Sequence, residues 1–101
     1  MSEVLGGCLC GCIRYRLNAK PLHAAHCHCS QCRRASGAPF LTWVAFPADS
    51  FAFTQGDPGI YHASDKADRT FCPNCGTQLT FRHVESTHQV DVTAGSLDNA
   101  E

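Results

Sequence analysis

The eight cysteines of this chain fall into four short phrases: Cys8-Leu-Cys10, a lone Cys12, Cys27-His-Cys29 with Cys32 three further on, and Cys72-Pro-Asn-Cys75. Spacings this tight are hard to reconcile with disulfides and natural for thiolates that converge on a metal. A four-coordinate structural zinc needs two such pairs. The phrases therefore divide into a set of four, a set of three, and one sulfur over. With 101 residues there is room for one domain, and a chain of that size buries only roughly 60 to 65% of its unfolded surface. Metal cross-links offset that shortfall, since a structural zinc contributes on the order of 10 kcal/mol to folding.

The segment Met1-Ser-Glu-Val-Leu-Gly-Gly7 has no basic region followed by an apolar run, so no secretion signal is read there. No stretch is long enough to span a bilayer. A reducing, cytoplasmic location is the expectation, and in that compartment cysteine clusters bind metal. The formal net charge is −1, with two lysines and six arginines dispersed as Arg14, Arg16, Arg33, Arg34, Arg69 and Arg82. This is not the basic stripe of a duplex nucleic-acid binder, which argues against a nucleic-acid-binding zinc ribbon. A few arginines around one pocket still suit a small anionic substrate.

The rest of the chain reads as short strands. Ile13, Tyr15 and Leu17 alternate with Cys12, Arg14 and Arg16, as in a half-buried strand. Residues 40–46 read as a strand covered on both faces, and Pro47-Ala-Asp-Ser50 turns the chain into Phe51–Thr54. Gln55-Gly-Asp-Pro-Gly59 is a strong turn into a short strand through Ile60 and Tyr61. Thr77–His83 is read with Leu79 and Phe81 on one face, and Gln89–Ala94 with Val90, Val92 and Ala94 on one face. Only Ser30–Ala35 looks helical, with Gly37 and Pro39 to stop it. The expected class is mainly β.

Cys72-Pro-Asn-Cys75-Gly76 has the form of a zinc knuckle, in which the glycine tolerates the positive φ that such a turn demands. Its partners are expected to be Cys8 and Cys10, which point the same way if that stretch is extended. A redox role for the CxxC pair is disfavoured by the neighbouring CxC and by the absence of a βαβ pattern. Cys27, Cys29 and Cys32 are a set of three at the mouth of the short helix, beside Arg33 and Arg34, where thiolates are favoured. A fourth ligand is not evident: His26, His28 and Cys12 are the candidates, while His23, His62, His83 and His88 read as ordinary strand or surface residues. An open Zn(Cys)₃ centre is a weak Lewis acid for water but readily binds and deprotonates an incoming thiol. The matching electrophile is a small aldehyde, with His26 or His28 available to protonate the alkoxide that forms.

Gly7-Cys-Leu-Cys-Gly11 followed by Ile13-Arg-Tyr15, Cys27-His-Cys-Ser-Gln-Cys-Arg-Arg-Ala-Ser-Gly37, Arg69-Thr-Phe-Cys-Pro-Asn-Cys-Gly-Thr77 and Ala94-Gly-Ser-Leu-Asp98 together resemble the glutathione-dependent formaldehyde-activating enzyme family. That family also includes the conserved domain of centromere protein V. The resemblance implies a β-tent fold of small antiparallel sheets with one short helix, a single zinc-binding domain over residues 1–101. It implies two zincs: a structural one on Cys8, Cys10, Cys72 and Cys75, and a catalytic one on Cys27, Cys29 and Cys32. The implied reaction is the reversible formation of S-(hydroxymethyl)glutathione from formaldehyde and glutathione, a carbon–sulfur lyase reaction. In that setting Arg33 and Arg34 are candidates to pair with glutathione carboxylates, and His28 is the candidate proton donor. Cys12 stands where the family pattern does not call for cysteine. Family members run past the Gly-Ser-Leu-Asp motif into a further apolar segment, so a domain shortened at its C-terminus is expected. The alternative is a non-enzymatic zinc-stabilised binding module, in which a histidine or Cys12 would close the second site.

Overall fold

The computed structural model describes residues 3–83 and 88–99. Residues 1, 2, 84–87, 100 and 101, and with them both ends of the expected 1–101 domain and the start of the stretch read for a leader, lie outside the described residues. Among the described residues the chain is mainly β. A three-stranded antiparallel sheet holds β1 (Val4–Gly7), β2 (Arg14–Leu17) and β5 (Phe51–Gln55) in that order. A six-stranded antiparallel sheet runs in the order β3 (His23–Cys27), β4 (Leu41–Pro47), β9 (Gln89–Thr93), β8 (Gln78–His83), β7 (Ala67–Phe71) and β6 (Gly59–Ser64). One helix, α1 (Ser30–Ser36), links β3 to β4. The expected antiparallel sheets with one short helix are what the chain forms.

The alternation expected of residues 13–17 sets the core. Ile13, Tyr15 and Leu17 are buried, and they pack with Phe46, Val90 and Val92 of the large sheet. In the register of β4 on β9, Val44 faces Val92 and Phe46 faces Val90, so these four share the face turned to the small sheet. Of these, Phe46, Val90 and Val92 are fully buried, and each such side chain stabilises the fold by about 1.5–3 kcal/mol. The opposite face of the large sheet is set by the same registers. It carries Ala25 and Cys27 of β3, Trp43 and Ala45 of β4, Asp91 of β9, Phe81 of β8 and Arg69 of β7. The site is built on that face.

Several expectations are corrected. Leu79 and Phe81 do not share a face, because the pairing of β7 with β8 skips Leu79: Phe71 opposes Gln78 and Thr70 opposes Thr80. The extra residue turns Leu79 into the core with Val92, and leaves Phe81 on the site face. Residues 8–10 are not extended. They form a tight turn, with the Gly11 amide donating to the Cys8 carbonyl at 3.2 Å and the Cys8 amide to the Ile13 carbonyl at 3.1 Å. Besides β1, two strands carry no apolar alternation and were not expected. β3 (His-Ala-Ala-His-Cys) is an almost wholly exposed edge held by its pairing with β4. β7 (Ala-Asp-Arg-Thr-Phe) buries an arginine on its inner face.

Candidate functional site

Two groups of sulfurs converge, and they are the two sets the spacing separated. The Sγ atoms of Cys8, Cys10, Cys72 and Cys75 all lie within 4.8 Å of one another, as do those of Cys27, Cys29 and Cys32. A tetrahedral zinc with Zn–S bonds of about 2.3 Å places its sulfurs about 3.8 Å apart. The separations of 3.6 Å for Cys8–Cys10, 3.7 Å for Cys10–Cys72 and 3.4 Å for Cys27–Cys29 fit that ion. Thiolate donor sets of this kind select zinc over hard cations.

The set of four is assembled by two turns. Gly76 adopts φ 84° directly after Cys75, the left-handed backbone the knuckle requires, and its amide donates to the Cys72 carbonyl at 2.8 Å. The turn at residues 8–11 brings the other pair, and Gln55 holds it by donating to the Gly11 carbonyl at 3.0 Å. Each sulfur also has a donor aimed at it. The Ile13 amide donates to Cys8 at 3.2 Å, the Asn74 side-chain amide to Cys10 at 3.3 Å and the Cys75 amide to Cys72 at 3.4 Å. The Thr77 hydroxyl lies 3.2 Å from Cys75 and accepts from the Leu9 amide, which leaves its proton for the sulfur. Donors to sulfur stabilise thiolate, as ligation requires. The Thr77 hydroxyl lowers the Cys75 pKa to about 5, and the Asn74 amide lowers that of Cys10 to about 7. Against the Cys75 amide, which acts the other way, burial and the adjoining thiols push Cys72 up to about 11. This shared retention of protons is what a cation displaces.

Cys12 lies at this first cluster. It is exposed, 4.0 Å from the Asn74 amide nitrogen, and its thiol is pushed up by hydrogen bonding to Cys10 and by that neighbour's charge. It neither belongs to the four nor reaches the set of three.

The set of three is built by the start of α1. Cys29 caps the helix with its own sulfur, which accepts the Cys32 amide at 3.4 Å, and Gly37 closes the helix in the left-handed conformation (φ 71°). That amide is the main reason the Cys29 pKa falls to about 7, while hydrogen bonding to Cys32 raises Cys27 to about 11. Cys27 ends β3 on the site face, Cys32 is the buried residue of α1, and Cys29 is exposed. Among the described residues no fourth histidine, cysteine or carboxylate joins the three. They open on a cavity of about 580 Å³ whose walls include His26, His28, Trp43, Phe81 and Asp91. His28 stands there with its ring 5.2 Å from Phe40, whereas His26 is engaged, Nδ1 lying 2.8 Å from the Thr42 hydroxyl. His23, read as an ordinary strand residue, also lines this cavity. His62 instead pairs with Asp68 at 2.6 Å on the far strands of the sheet. A second cavity of about 530 Å³ runs between α1 and β6–β8, and Gln31 and Arg69 belong to the walls of both. Arg34 lines this second cavity, while Arg33 is exposed on α1 and lines neither.

Arg69 is the residue that sequence reasoning passed over. Its side chain is 5% exposed, and its guanidinium lies 5.8 Å from the centre of the Trp43 ring and 5.2 Å from that of Phe81. Nη2 donates to the Cys32 sulfur at 3.5 Å, and Nη1 is buried with no hydrogen-bond partner among the described residues. The signal in the sequence was its place three residues before the knuckle, inside a strand with no other reason to hold a buried charge.

No helix among the described residues is long and apolar enough to cross a membrane. The chain is 31% identical over 94 residues to a Schizosaccharomyces pombe protein named as an uncharacterized lyase, covering 93% of this chain and 68% of that one. Its fold resembles the crystal structure of a Rhodobacter sphaeroides protein, with a TM-score of 0.79 at 20% identity over 94% of this chain and 88% of the other. The sequence profile of the glutathione-dependent formaldehyde-activating enzymes matches residues 3–101, nearly the whole chain, so the chain belongs to the glutathione-dependent formaldehyde-activating enzyme family.

Proposed function

We propose that the protein is a cytoplasmic carbon–sulfur lyase that adds the thiol of glutathione, or of another small thiol, to formaldehyde or another small aldehyde. Residues 1–101 act in this reading as one domain with two zincs. The carrying observation is the asymmetry of the clusters: four sulfurs closed on one another at the knuckle, and three facing a cavity with no fourth protein ligand among the described residues. Family membership and the lyase name of the S. pombe relative support the reaction class.

Cys27, Cys29 and Cys32 would hold the catalytic zinc, which supplies when bound an open position that favours the ionised form of an incoming thiol. The chain's residues do the rest. Trp43 and Phe81 give the cavity an apolar wall, beside which polar contacts would be stronger than in open water. In the addition a carbon–sulfur bond forms, the carbonyl π bond breaks, and the proton lost by the thiol is matched by one gained at oxygen; nothing is oxidised. His28, which lines the cavity and lacks the Thr42 contact that engages His26, would deliver that proton at a ring nitrogen. Arg34, which lines the adjoining cavity, would meet a glutathione carboxylate in this reading, with Arg33 exposed on the same helix.

The test is a metal count joined to an assay of glutathione-dependent formaldehyde consumption above the uncatalysed rate. The protein as isolated should hold two zincs per chain. Cys29→Ser should hold one, keep its fold, and lose catalysis. A Cys29→Ser variant with full lyase activity would remove the catalytic assignment, and a structure with four protein ligands at Cys27, Cys29 and Cys32 would favour a binding module.

A further inference from the structure

A guanidinium is always charged, and one buried without a counter-charge is among the costlier things a small domain can hold. Among the described residues Arg69 is in that position. The ion pairs among the described residues are Arg14–Asp98 and His62–Asp68, and neither involves it. The carboxylate nearest in register is Asp91, which lines the same cavity two strands away, beyond Phe81, and forms no ion pair with Arg69. Two strand spacings are about 10 Å. Asp91 is engaged by the Gln89 side-chain amide at 2.9 Å. What the guanidinium does touch is sulfur, with Nη2 at 3.5 Å from Cys32. The aromatic faces of Trp43 and Phe81 fix its plane there.

Three thiolates and a divalent metal carry a net charge of −1, which disfavours a fourth anionic ligand. We propose that Arg69 is the positioning residue that cancels this charge, so that the open position of the Cys27–Cys29–Cys32 site selects anionic ligands, thiolates above all, over neutral ones. The inference rests on the reading of that triad as a metal site. Arg69 needs no contact with the ligand to act in this way, which agrees with its burial. Its charge is delivered through Cys32 and through the buried, aromatic surround of the guanidinium, in which Coulomb interactions persist. A unit charge at roughly 6 Å in an effective dielectric of about 20 changes an affinity on the order of a hundredfold. The same guanidinium on the surface would be screened to little effect.

The test uses the full chain loaded with cobalt(II), whose absorption reports a change of ligand. The probes are 2-mercaptoethanol, which binds as an anion, and imidazole, which binds as a neutral donor. Wild type, Arg69→Met and Arg69→Lys are titrated with each after a cobalt count. Arg69→Met should keep two cobalts, bind 2-mercaptoethanol about ten- to a hundredfold more weakly, and bind imidazole within about threefold of wild type. Arg69→Lys, which keeps the charge, should recover most of the preference and decides the question if the methionine variant does not fold. Equal weakening toward both probes would mean that Arg69 only packs the site, and no weakening toward 2-mercaptoethanol would mean that its charge is irrelevant; either overturns the proposal. A wild-type chain that takes up a single cobalt overturns the trithiolate reading and this proposal together, an outcome told apart by the count alone.

Discussion

Gly6 is fixed by what stands over it. A Cβ at this position would fall 2.4 Å from Cζ and Oη of Tyr15 and 2.6 Å from the Ser96 carbonyl oxygen. Tyr15 cannot give way, because it is 1% exposed and its hydroxyl lies 2.6 Å from the Ser96 hydroxyl. Gly6→Ala should therefore destabilise the fold by about 1–3 kcal/mol, the range of an overpacked core. Tyr15→Phe should cost only about 1 kcal/mol, since Ser96 keeps the Thr93 hydroxyl and carbonyl as partners. Urea midpoints of the two variants against wild type measure both. A Gly6→Ala variant no less stable than Tyr15→Phe would mean that β1 shifts freely, against the register seen here. The same comparison marks what a sequence can reveal about single residues. Tyr15 was legible as core from its alternation with Arg14 and Arg16. The constraint on Gly6 was not, because its obstacle comes from residues 15 and 96, and nothing local encodes them.

At the scale of elements, the cysteine phrases were more legible than the strands that carry them. Ligand spacing is a local property, and the grouping of Cys8, Cys10, Cys72 and Cys75 apart from Cys27, Cys29 and Cys32 follows from it. The helix was also local: expected over 30–35, it spans Ser30–Ser36 with Gly37 as its left-handed stop. β3 and β7 were hidden because their reason to exist is the neighbouring strand. β7 was further disguised by Arg69, a charge on a buried face. The bulge at Leu79 is likewise a matter of pairing and reversed the face expected of Phe81. The protonation of the clusters gives an element-scale prediction. Cys27 and Cys72, both held up to about 11, are protonated at neutral pH in the metal-free protein. They must ionise to bind a metal, so adding zinc at pH 7 should release protons, detectable with a pH indicator in weak buffer. The sign is fixed: zinc affinity rises with pH, and it drops further below about pH 7 as Cys10 and Cys29 also take up protons. Zinc binding that is indifferent to pH between 6 and 8 would refute the arrangement.

On the scale of the whole molecule, two ties join the small sheet to the large one. The first is the four-cysteine cluster, which links the turn after β1 to the knuckle between β7 and β8. A strong chelator should therefore loosen the fold well beyond the knuckle, read as a large drop in thermal midpoint. The second is the segment after β9. It bridges Leu97 to Gly6, donates the Asp98 amide to the Leu5 carbonyl at 2.9 Å, sets Ser96 against Tyr15, and pairs Asp98 with Arg14 through two hydrogen bonds, one of them 3.0 Å. The Gly-Ser-Leu-Asp motif was visible in the sequence only as part of a resemblance, and its physical work is this clasp.

Hydrogen bonding to Arg14 holds the Asp98 carboxyl below its ordinary pKa. A carboxyl depressed by folding lends stability that is present above its unfolded value, about 3.9, and is lost as pH falls through the folded value. Wild type should accordingly lose stability on acidification below about pH 4 more steeply than Asp98→Asn, and the two stability curves should converge at low pH. The pair is partly exposed, so the gap at neutral pH should be small and should shrink further in 1 M salt, where the screening length is about 3 Å. Thermal midpoints of the two proteins from pH 2.5 to 7, at low and high salt, measure both effects. Parallel curves would show that the clasp is held by the backbone and Ser96 contacts alone, with the ion pair as a bystander.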